Sequence, residues 1–262
     1  MGKSKDLATG ASYQDQTESD ARYVNVSGDT MTGGLNVTGG DVGIGTSSPS
    51  AYNSNIDDLV IYNSASGGIT IATGTSSQGA IAFADGTSGP DPVMGRIRYD
   101  HSNNSMGFRV NNDERMSIDA SGRVTMPYQP AFSAYKNGNY TETTGTNRVP
   151  SWTEFTDIGS NLDASTGRFT APVAGMYWFS LSAMSYNLSG DVQFRFYVNG
   201  SYHLGSNDYS SRSGNLAQTT ISGAIYLSSN DYVEPYFYSN TTTSNIAFYN
   251  GQYSHYHGYL IG

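Results

Sequence analysis

Cysteine is absent from the 262-residue chain, and lysine is nearly absent, with three residues. The lack of cysteine excludes disulfides, thiolate metal sites and thiol redox chemistry. The chain carries 13 Lys and Arg against 22 Asp and Glu, a formal net charge of −9. Because affinity for nucleic acid comes from cations that neutralise phosphates, this balance argues against a nucleic-acid partner.

Large aliphatic side chains and charges are also scarce. Leu, Ile, Val and Phe number 46 residues, and only 13 % of the chain is charged. A disordered chain would combine few apolar residues with high net charge, whereas here 21 tyrosines supply apolar area. The 31 glycines and 8 prolines disfavour long helices, and no apolar run has the length of a membrane span. We therefore predict an all-β protein that is not membrane-embedded and that buries much of its core between subunits.

Changes in composition divide the first 50 residues into two segments. Residues 1–24 are polar and mixed in charge, and we interpret them as an arm that docks on another protein, with disorder as the alternative. Residues 25–50 alternate single apolar residues with polar ones between glycines, as in Leu35-Asn36-Val37, which predicts very short strands without a private core. Three copies around one axis would give each apolar stripe two partners, so we predict a trimeric β stem.

Strand patterns then continue to residue 262. Residues 51–127 contain short apolar runs at a spacing of roughly ten residues, including 69–72 and 96–99, and form a predicted central β module. Residues 128–262 have longer and more aromatic strands. Residues 175–183 and 192–198 alternate apolar and polar side chains, and the second run ends at the hairpin turn Asn199-Gly200. About eight to ten antiparallel strands in this segment predict a jelly roll or sandwich.

The last segment carries a sequence signature. Phe169 is followed, after five residues, by Gly175-Met176-Tyr177-Trp178-Phe179, and the segment closes with Tyr256-x-Gly258-x-Leu260. These motifs resemble those of the C1q-type globular head, in the tumour-necrosis-factor-like jelly-roll superfamily. Ser151 stands where that family prefers Phe, and Asn230-Asp231 where Gly-Asp is common. The resemblance implies a homotrimeric jelly-roll head and assigns no ligand site.

The first half has motifs of a different kind. They include Ser27-Gly28-Asp29-Thr30-Met31-Thr32-Gly33, Val42-Gly43-Ile44-Gly45-Thr46 and Glu114-Arg115-Met116-Ser117-Ile118-Asp119. The first two resemble the stem of bacteriophage tail fibres, and the third is similar to modules of phage virion proteins. This resemblance implies a homotrimer located in the virion, held by other virion proteins through residues 1–24.

One motif suggests a metal site, His255-Tyr256-His257. On a strand both imidazoles lie on the same face, and three chains around an axis would offer six nitrogens, enough for an octahedral transition metal. The alternative is that both histidines are polar residues at a subunit seam. No cofactor is otherwise expected, and the metals considered are a transition metal at His255 and His257 or Ca²⁺.

Loops of the last segment are rich in Tyr, Ser, Gly and Asn, the mixture typical of binding loops. The candidate receptor-binding residues are Tyr140, Tyr186, Asn187, Tyr202, His203, Asn207, Tyr209 and Arg212. Tyrosine rings and Asn amides suit hydroxyl-rich ligands, so the expected partner is a host cell-surface glycan or an outer-membrane receptor. The alternative is the ordinary hydrated surface of a Tyr-rich domain.

These features predict a phage tail-fibre protein, not an enzyme, that attaches the virion to its host through the trimeric head. A purely structural neck or head fibre, or a connector, is the alternative. A surface-polysaccharide depolymerase is a third hypothesis and would need two carboxylates that face a groove. The carboxylates considered for it are Glu142, Glu154, Asp157 and Asp191.

Overall fold

The computed structural model describes residues 37, 40–53, 55–89, 93–142, 144–186, 191–206, 208–209, 216–240, 245–248 and 251–262. The chain divides into two compact units, Met1–Thr70 and Ile71–Gly262. The predicted arm, residues 1–24, lies outside the described residues, as does most of the predicted stem. The segment boundaries at residues 24, 50 and 127 stay a prediction.

The first unit contains two very short strands that pair in parallel, β1 (Val42–Ile44) and β2 (Leu59–Ile61). A 3-10 turn, Pro49–Ala51, lies between them along the chain. Val60 is buried, whereas Ile44 and Leu59 are 54 % and 55 % exposed. The pair therefore has the short strands that the alternation predicts, and it buries little apolar surface within one chain.

The second unit begins with a five-stranded antiparallel sheet, here the central sheet, in which each strand pairs with the next along the chain. Its strands are β3 (Gln78–Phe83), β4 (Gly95–Asp100), β5 (Ser105–Val110), β6 (Asp113–Ile118) and β7 (Val124–Thr125). The strand predicted at residues 96–99 is confirmed. The one predicted at residues 69–72 is wrong, because those residues join no described ladder of hydrogen bonds.

The central sheet is amphipathic. Its register places Ile81, Ile97, Phe108 and Met116 side by side across four strands on one face, the apolar face. Arg98 lies on the opposite, polar face, where its guanidinium bridges Glu114 at 2.6 Å and Asp100 at 3.4 Å. On the apolar face Phe83 and Val110 are 60 % and 61 % exposed. One chain thus leaves much of this face open to solvent.

Two further sheets pack together into the jelly roll, and the first of them, the front sheet, follows the order β11-β8-β21-β14-β20-β9, with β18 also paired to β14. Its strands are β8 (Ala131–Lys136), β9 (Tyr140–Glu142), β11 (Trp152–Ile158), β14 (Gly175–Tyr186), β18 (Leu216–Leu227), β20 (Asn245–Phe248) and β21 (Gly251–Leu260). The longest ladder joins β14 to β18 in register from Gly175 and Leu227 to Tyr186 and Leu216.

The second, the back sheet, follows the order β12-β13-β19-β15-β16, with β10 paired to β19 and β17 to β15. Its strands are β10 (Gly145–Arg148), β12 (Leu162–Asp163), β13 (Arg168–Thr170), β15 (Asp191–Val198), β16 (Ser201–Gly205), β17 (Asp208–Tyr209) and β19 (Tyr232–Ser239). The turn between β15 and β16 has Asn199 and Gly200 at φ 49° and 77°, the left-handed pair that a tight hairpin requires. The predicted turn is confirmed.

An aromatic core lies between the two sheets. Phe132 packs edge-on against Tyr256, with ring centroids 4.6 Å apart, and its ring stacks on that of Phe169 at 5.2 Å. A Cβ on Gly258 would lie 2.7 Å from the Phe179 ring, which explains the glycine in the closing motif. The side chains of the C1q-like motifs therefore supply the centre of this core, and the all-β jelly roll is confirmed.

In the described part of the chain, no helix has both the length and the apolar character that crossing a membrane would require.

Candidate functional site

The outer face of the front sheet, opposite the core, is unusually aromatic. Alternation on β14 buries Tyr177 and Phe179, so their neighbours Met176 and Trp178 point outward. The register sets Met176 beside Tyr226 of β18, which is 63 % exposed, and Trp178 beside Tyr259 of β21. A row of partly exposed rings therefore crosses three adjacent strands. Exposed apolar area on a protein surface marks a site that contacts another protein, a membrane or a ligand.

His255 and His257 lie on this same outer face. They pair across the ladder with Ser182 and Ser180 of β14, and their rings lie nearly parallel with centroids 5.6 Å apart. Burial, together with the neighbouring His255, lowers the pKa of His257 and favours its neutral form, the form that binds metals.

Two nitrogens that each bind one metal at about 2.1 Å lie at most about 4.2 Å apart. The two imidazole rings would therefore have to rotate towards each other to share an ion. Among the described residues, no group of three or more His, Asp or Glu side chains is arranged for a metal. The transition metal at His255 and His257 stays a prediction, as does Ca²⁺.

The outer face of the back sheet carries a second set of rings, interleaved with arginines. Along β19 the period of two puts Tyr232, Glu234, Tyr236 and Tyr238 on this face. The neighbouring strand contributes Tyr197, whose ring stacks on Tyr236 with centroids 4.1 Å apart. We call this surface the tyrosine-arginine face, and it comprises Arg148, Arg168, Arg195, Tyr197, Tyr202, Tyr232, Glu234, Tyr236 and Tyr238.

Glu234 organises one half of the tyrosine-arginine face. Its carboxylate is 3 % exposed, and Oε1 accepts hydrogen bonds of 3.0 Å from both Arg148 and Arg168. The Arg168 guanidinium lies 4.0 Å from the centroid of the Tyr232 ring. Burial and the Glu234 charge raise the pKa of Tyr236, so this ring keeps its proton. A buried acid beneath two cations holds both guanidinium groups in place.

Arg195 organises the other half. Its Nε and Nη2 donate to Gln193 Oε1 at 2.8 and 2.5 Å, and Nη1 donates to Thr146 at 3.3 Å. The guanidinium carbon lies 4.1 Å from the Tyr238 centroid and 5.2 Å from that of Tyr202. Among the residues that the structure describes, Arg195 forms no salt bridge. Its partners among the described residues, Gln193 and Thr146, are neutral.

The loop residues predicted from composition are placed differently from one another. Tyr202 is 57 % exposed on the tyrosine-arginine face, and His203, the next residue of β16, is exposed as well. The half-buried Tyr140 donates a hydrogen bond of 2.9 Å to the carbonyl of Arg148. Tyr186 and Tyr209 lie in β14 and β17, with side chains outside the described set, and Asn187, Asn207 and Arg212 lie outside the described residues altogether. A binding role for these eight residues stays a prediction.

Of the carboxylates considered for a depolymerase, Asp157 and Asp191 serve local structure. Asp157 accepts hydrogen bonds from the backbone of Asn161 and Leu162, at 3.1 and 2.9 Å, and so closes a turn. Asp191 accepts from the amide of Asn240 at 3.0 Å. The side chain of Glu142 lies outside the described set. The contacts join Asp157 to a turn and Asp191 to a strand end, and Glu154 is exposed.

Lys136 is a buried cation in the jelly roll. Its residue is 2 % exposed, and Nζ donates to the carbonyls of Pro150 and Ser151 at 2.7 and 2.9 Å. Desolvation lowers its pKa to about 8. Both carbonyls belong to the connection before β11, where Ser151 has a φ of 60°, so Lys136 ties down a left-handed turn.

The family model of the C1q domain matches residues 131–261, half of the chain. The chain belongs to the C1q domain family. The match begins with β8 and continues to the residue after β21, so the C1q domain is the jelly roll described above. The sequence-based prediction of a C1q-like, tumour-necrosis-factor-like domain is thereby confirmed for these residues.

Solved structures with similar folds include the globular domain of zebrafish complement 1qA protein, which is 22 % identical, with a TM-score of 0.37, and covers 51 % of this chain and 98 % of that one. Murine APRIL at pH 5.0 is 9 % identical, with a TM-score of 0.42 and coverage of 51 % and 99 %. Eiger TNF from S. frugiperda is 15 % identical, with a TM-score of 0.37 and coverage of 51 % and 94 %. A search among curated proteins found no match.

Proposed function

We propose that this protein is a homotrimeric fibre of a bacteriophage virion, whose C1q domain attaches the particle to the host surface. In this proposal residues 1–24 bind other virion proteins, and the segments up to residue 127 form the shaft. The observation that carries the proposal is that apolar surface stays uncovered in one chain along its described length.

The uncovered surfaces suit association with copies of the same chain. The apolar face of the central sheet and the aromatic outer face of the front sheet are each broad and partly exposed, as Phe83 and Tyr226 illustrate. The pair β1 and β2 also exposes most of its apolar side chains. A closed symmetric oligomer covers one such patch with another without leaving open edges, and a trimer does so around a single axis. Burial of apolar area then stabilises all segments together.

Attachment through three heads gains from avidity. A single weak site on each chain becomes a strong attachment when three sites on one assembly engage a repetitive surface, since later contacts form at a high effective concentration. The tyrosine-arginine face lies on the sheet opposite the aromatic face used for assembly, so it stays free in this arrangement. That separation favours a receptor-binding head over a purely structural neck fibre or connector. We propose no catalytic role, because two of the four carboxylates considered for a depolymerase, Asp157 and Asp191, are held by backbone and amide partners at a turn and a strand end.

The proposal is tested on the full chain in two steps. Sedimentation equilibrium is expected to give three times the chain mass of 28.1 kDa. Fluorescently labelled trimer is then mixed with a panel of bacterial strains, and we expect it to bind some strains selectively. A trimer that binds none would support the structural fibre, and release of oligosaccharides would support the depolymerase. A stable monomer would overturn the fibre proposal.

A further inference from the structure

The tyrosine-arginine face has the composition of a ligand surface. Three of its rings, those of Tyr197, Tyr202 and Tyr236, contact one another, with Tyr197 stacked on Tyr236 and edge-on to Tyr202 at 6.0 Å. Such mutual contacts fix the ring orientations before any ligand arrives. Rigid aromatic rings offer large contact areas at a small entropic cost.

Arginines also lie on the tyrosine-arginine face. The chain has a net charge of −9, yet three arginines converge here. Three acids lie near them among the described residues: Glu234 beneath Arg148 and Arg168, Asp163 opposite Arg168 across the ladder, and Asp191, which accepts a hydrogen bond from Asn240. The uncompensated charge lies at Arg195, whose partners among the described residues are neutral, and it favours an anionic partner over a basic one at that end of the face.

Arg195 is the residue best placed to bind an anion. It has five N–H groups, of which three donate to Gln193 and Thr146. The stacked Tyr238 ring holds the guanidinium plane, so its remaining donors are oriented in advance. A planar guanidinium binds a carboxylate with two parallel hydrogen bonds, stronger than those between neutral groups.

A second anchor lies at the other end of the face. Arg168 stacks on Tyr232 and also lines an open cleft of about 430 Å³. The walls of that cleft include the polar side chains of Asn161, Thr170 and Asn230, and also Asp163, which pairs with Arg168 across the ladder. Hydroxyl, amide and carboxylate groups around a cation suit the hydroxyls of a sugar. The surface is thus extended, with a cation near each end and rings between them.

We propose that the tyrosine-arginine face binds an acidic polysaccharide, with Arg195 pairing to a carboxylate of its sugars, the cleft beside Arg168 binding sugar hydroxyls and the tyrosine rings stacking on the sugar rings. This inference rests on the proposed attachment function and names the chemical class of receptor for it. A neutral glycan would leave the Arg195 donors without a charged partner, and a flat apolar protein surface would leave all three cations desolvated.

The test uses the full-length protein and alginate, a polymer of uronic acids, immobilised beside the same polymer after reduction of its carboxyls to alcohols. We expect saturable, salt-sensitive binding to alginate and at least about tenfold weaker binding to the reduced polymer, since charge-assisted hydrogen bonds are lost. Arg195→Gln is expected to weaken alginate binding by about tenfold or more. Tyr202→Ala, which removes an exposed ring, should weaken it by a smaller factor.

The matched control is Arg123→Gln, which makes the same change in charge at an exposed residue outside the jelly roll. It should leave alginate binding unchanged, and all variants should keep the wild-type unfolding temperature. Equal binding to both polymers, or equal behaviour of Arg195→Gln and Arg123→Gln, would overturn the inference. Wild-type protein that binds cells but not alginate would also overturn it, while leaving the attachment function intact. Cell binding that Arg195→Gln weakens but that survives removal of surface polysaccharide would assign the face to a protein partner instead.

Discussion

The central sheet and the jelly roll are built from the same kind of strand but differ in how far their apolar faces are buried. In both, apolar and polar side chains alternate along antiparallel strands joined by short turns. The jelly roll packs two apolar faces together, and Phe179 and Phe194 are fully buried there. The central sheet has one apolar face and no second layer within the described chain, and Phe83 is 60 % exposed. Alternation thus defines a face, and topology decides what covers it.

The largest expected effect contrasts phenylalanines from the two regions. Phe179→Ala should lower the free energy of unfolding of the jelly roll by about 3–5 kcal/mol, because it leaves a cavity in a closed core. Phe83→Ala removes a ring of the central sheet, outside that core, and should change the free energy of unfolding of the jelly roll by less than about 0.5 kcal/mol. Denaturation followed by tryptophan fluorescence measures this transition, since the only two tryptophans, Trp152 and Trp178, lie in the jelly roll. Equal losses of unfolding free energy in the two variants would contradict the difference in burial between the two regions.

The next effect separates the two faces of the central sheet. Phe83→Glu places a charge on the apolar face and should raise the protein concentration needed for assembly by at least about tenfold, because burying an unpaired charge is costly. Ala82→Glu places the same charge on the polar face, opposite Arg96, and should leave assembly unchanged. Sedimentation velocity over a dilution series compares the two. If both variants assemble like the wild type, the apolar face is not an interface.

The free energy of unfolding of the jelly roll should depend on pH through Lys136. Since the pKa of Lys136 is lowered to about 8, the folded state releases this proton at a pH where the unfolded state still holds it. The free energy of unfolding should therefore rise between about pH 8 and pH 10, relative to its value at pH 7. Above that range it should fall, since the unfolded state releases tyrosine protons while burial raises the pKa of Tyr177 and Tyr256.

Lys136→Met should abolish the rise between pH 8 and pH 10 and keep the fall above it. Urea denaturation at each pH measures both. A wild-type protein whose stability is flat over this range would show that Lys136 stays charged within the fold.

The smallest effect concerns two buried tyrosines. The hydroxyl of Tyr256 is buried without a hydrogen-bond partner among the described residues, so Tyr256→Phe should raise stability by up to about 1 kcal/mol. The hydroxyl of Tyr177 donates to the carbonyl of Val173 at 2.9 Å, so Tyr177→Phe should lower stability by about 1 kcal/mol. Thermal unfolding of the paired variants measures the difference. Changes of the same sign would contradict the assignment.

Local pattern was enough to predict much of the fold. The alternation in residues 175–183 and 192–198 and the turn at Asn199-Gly200 each predicted what the structure shows, because backbone geometry ties side-chain direction to a period of two. The strand at residues 69–72 failed because a strand exists only with a partner, and no local signal says whether one is present. What covers each apolar face is likewise absent from local pattern.

The candidate binding surface was harder to predict from the sequence than the fold was. Composition pointed to Tyr202, whereas Arg195 and Tyr238 lie far apart along the chain and meet only because β15 and β19 are neighbours in the back sheet. The available signal was that Tyr232, Tyr236 and Tyr238 are separated by even numbers of residues, since on a strand this spacing puts all three rings on one face. The arginines come to lie beside these rings through the register of strand pairing, which long-range topology sets.

The position of β8 has a mechanical consequence. This first strand of the jelly roll is paired along its length with β11 on one edge and with β21 on the other. A pull transmitted through Pro130 would have to shear both ladders at once, because the interstrand hydrogen bonds lie across the direction of the strand. When tension acts on the chain before residue 130, the jelly roll would therefore resist the separation of β8 from its two neighbouring strands.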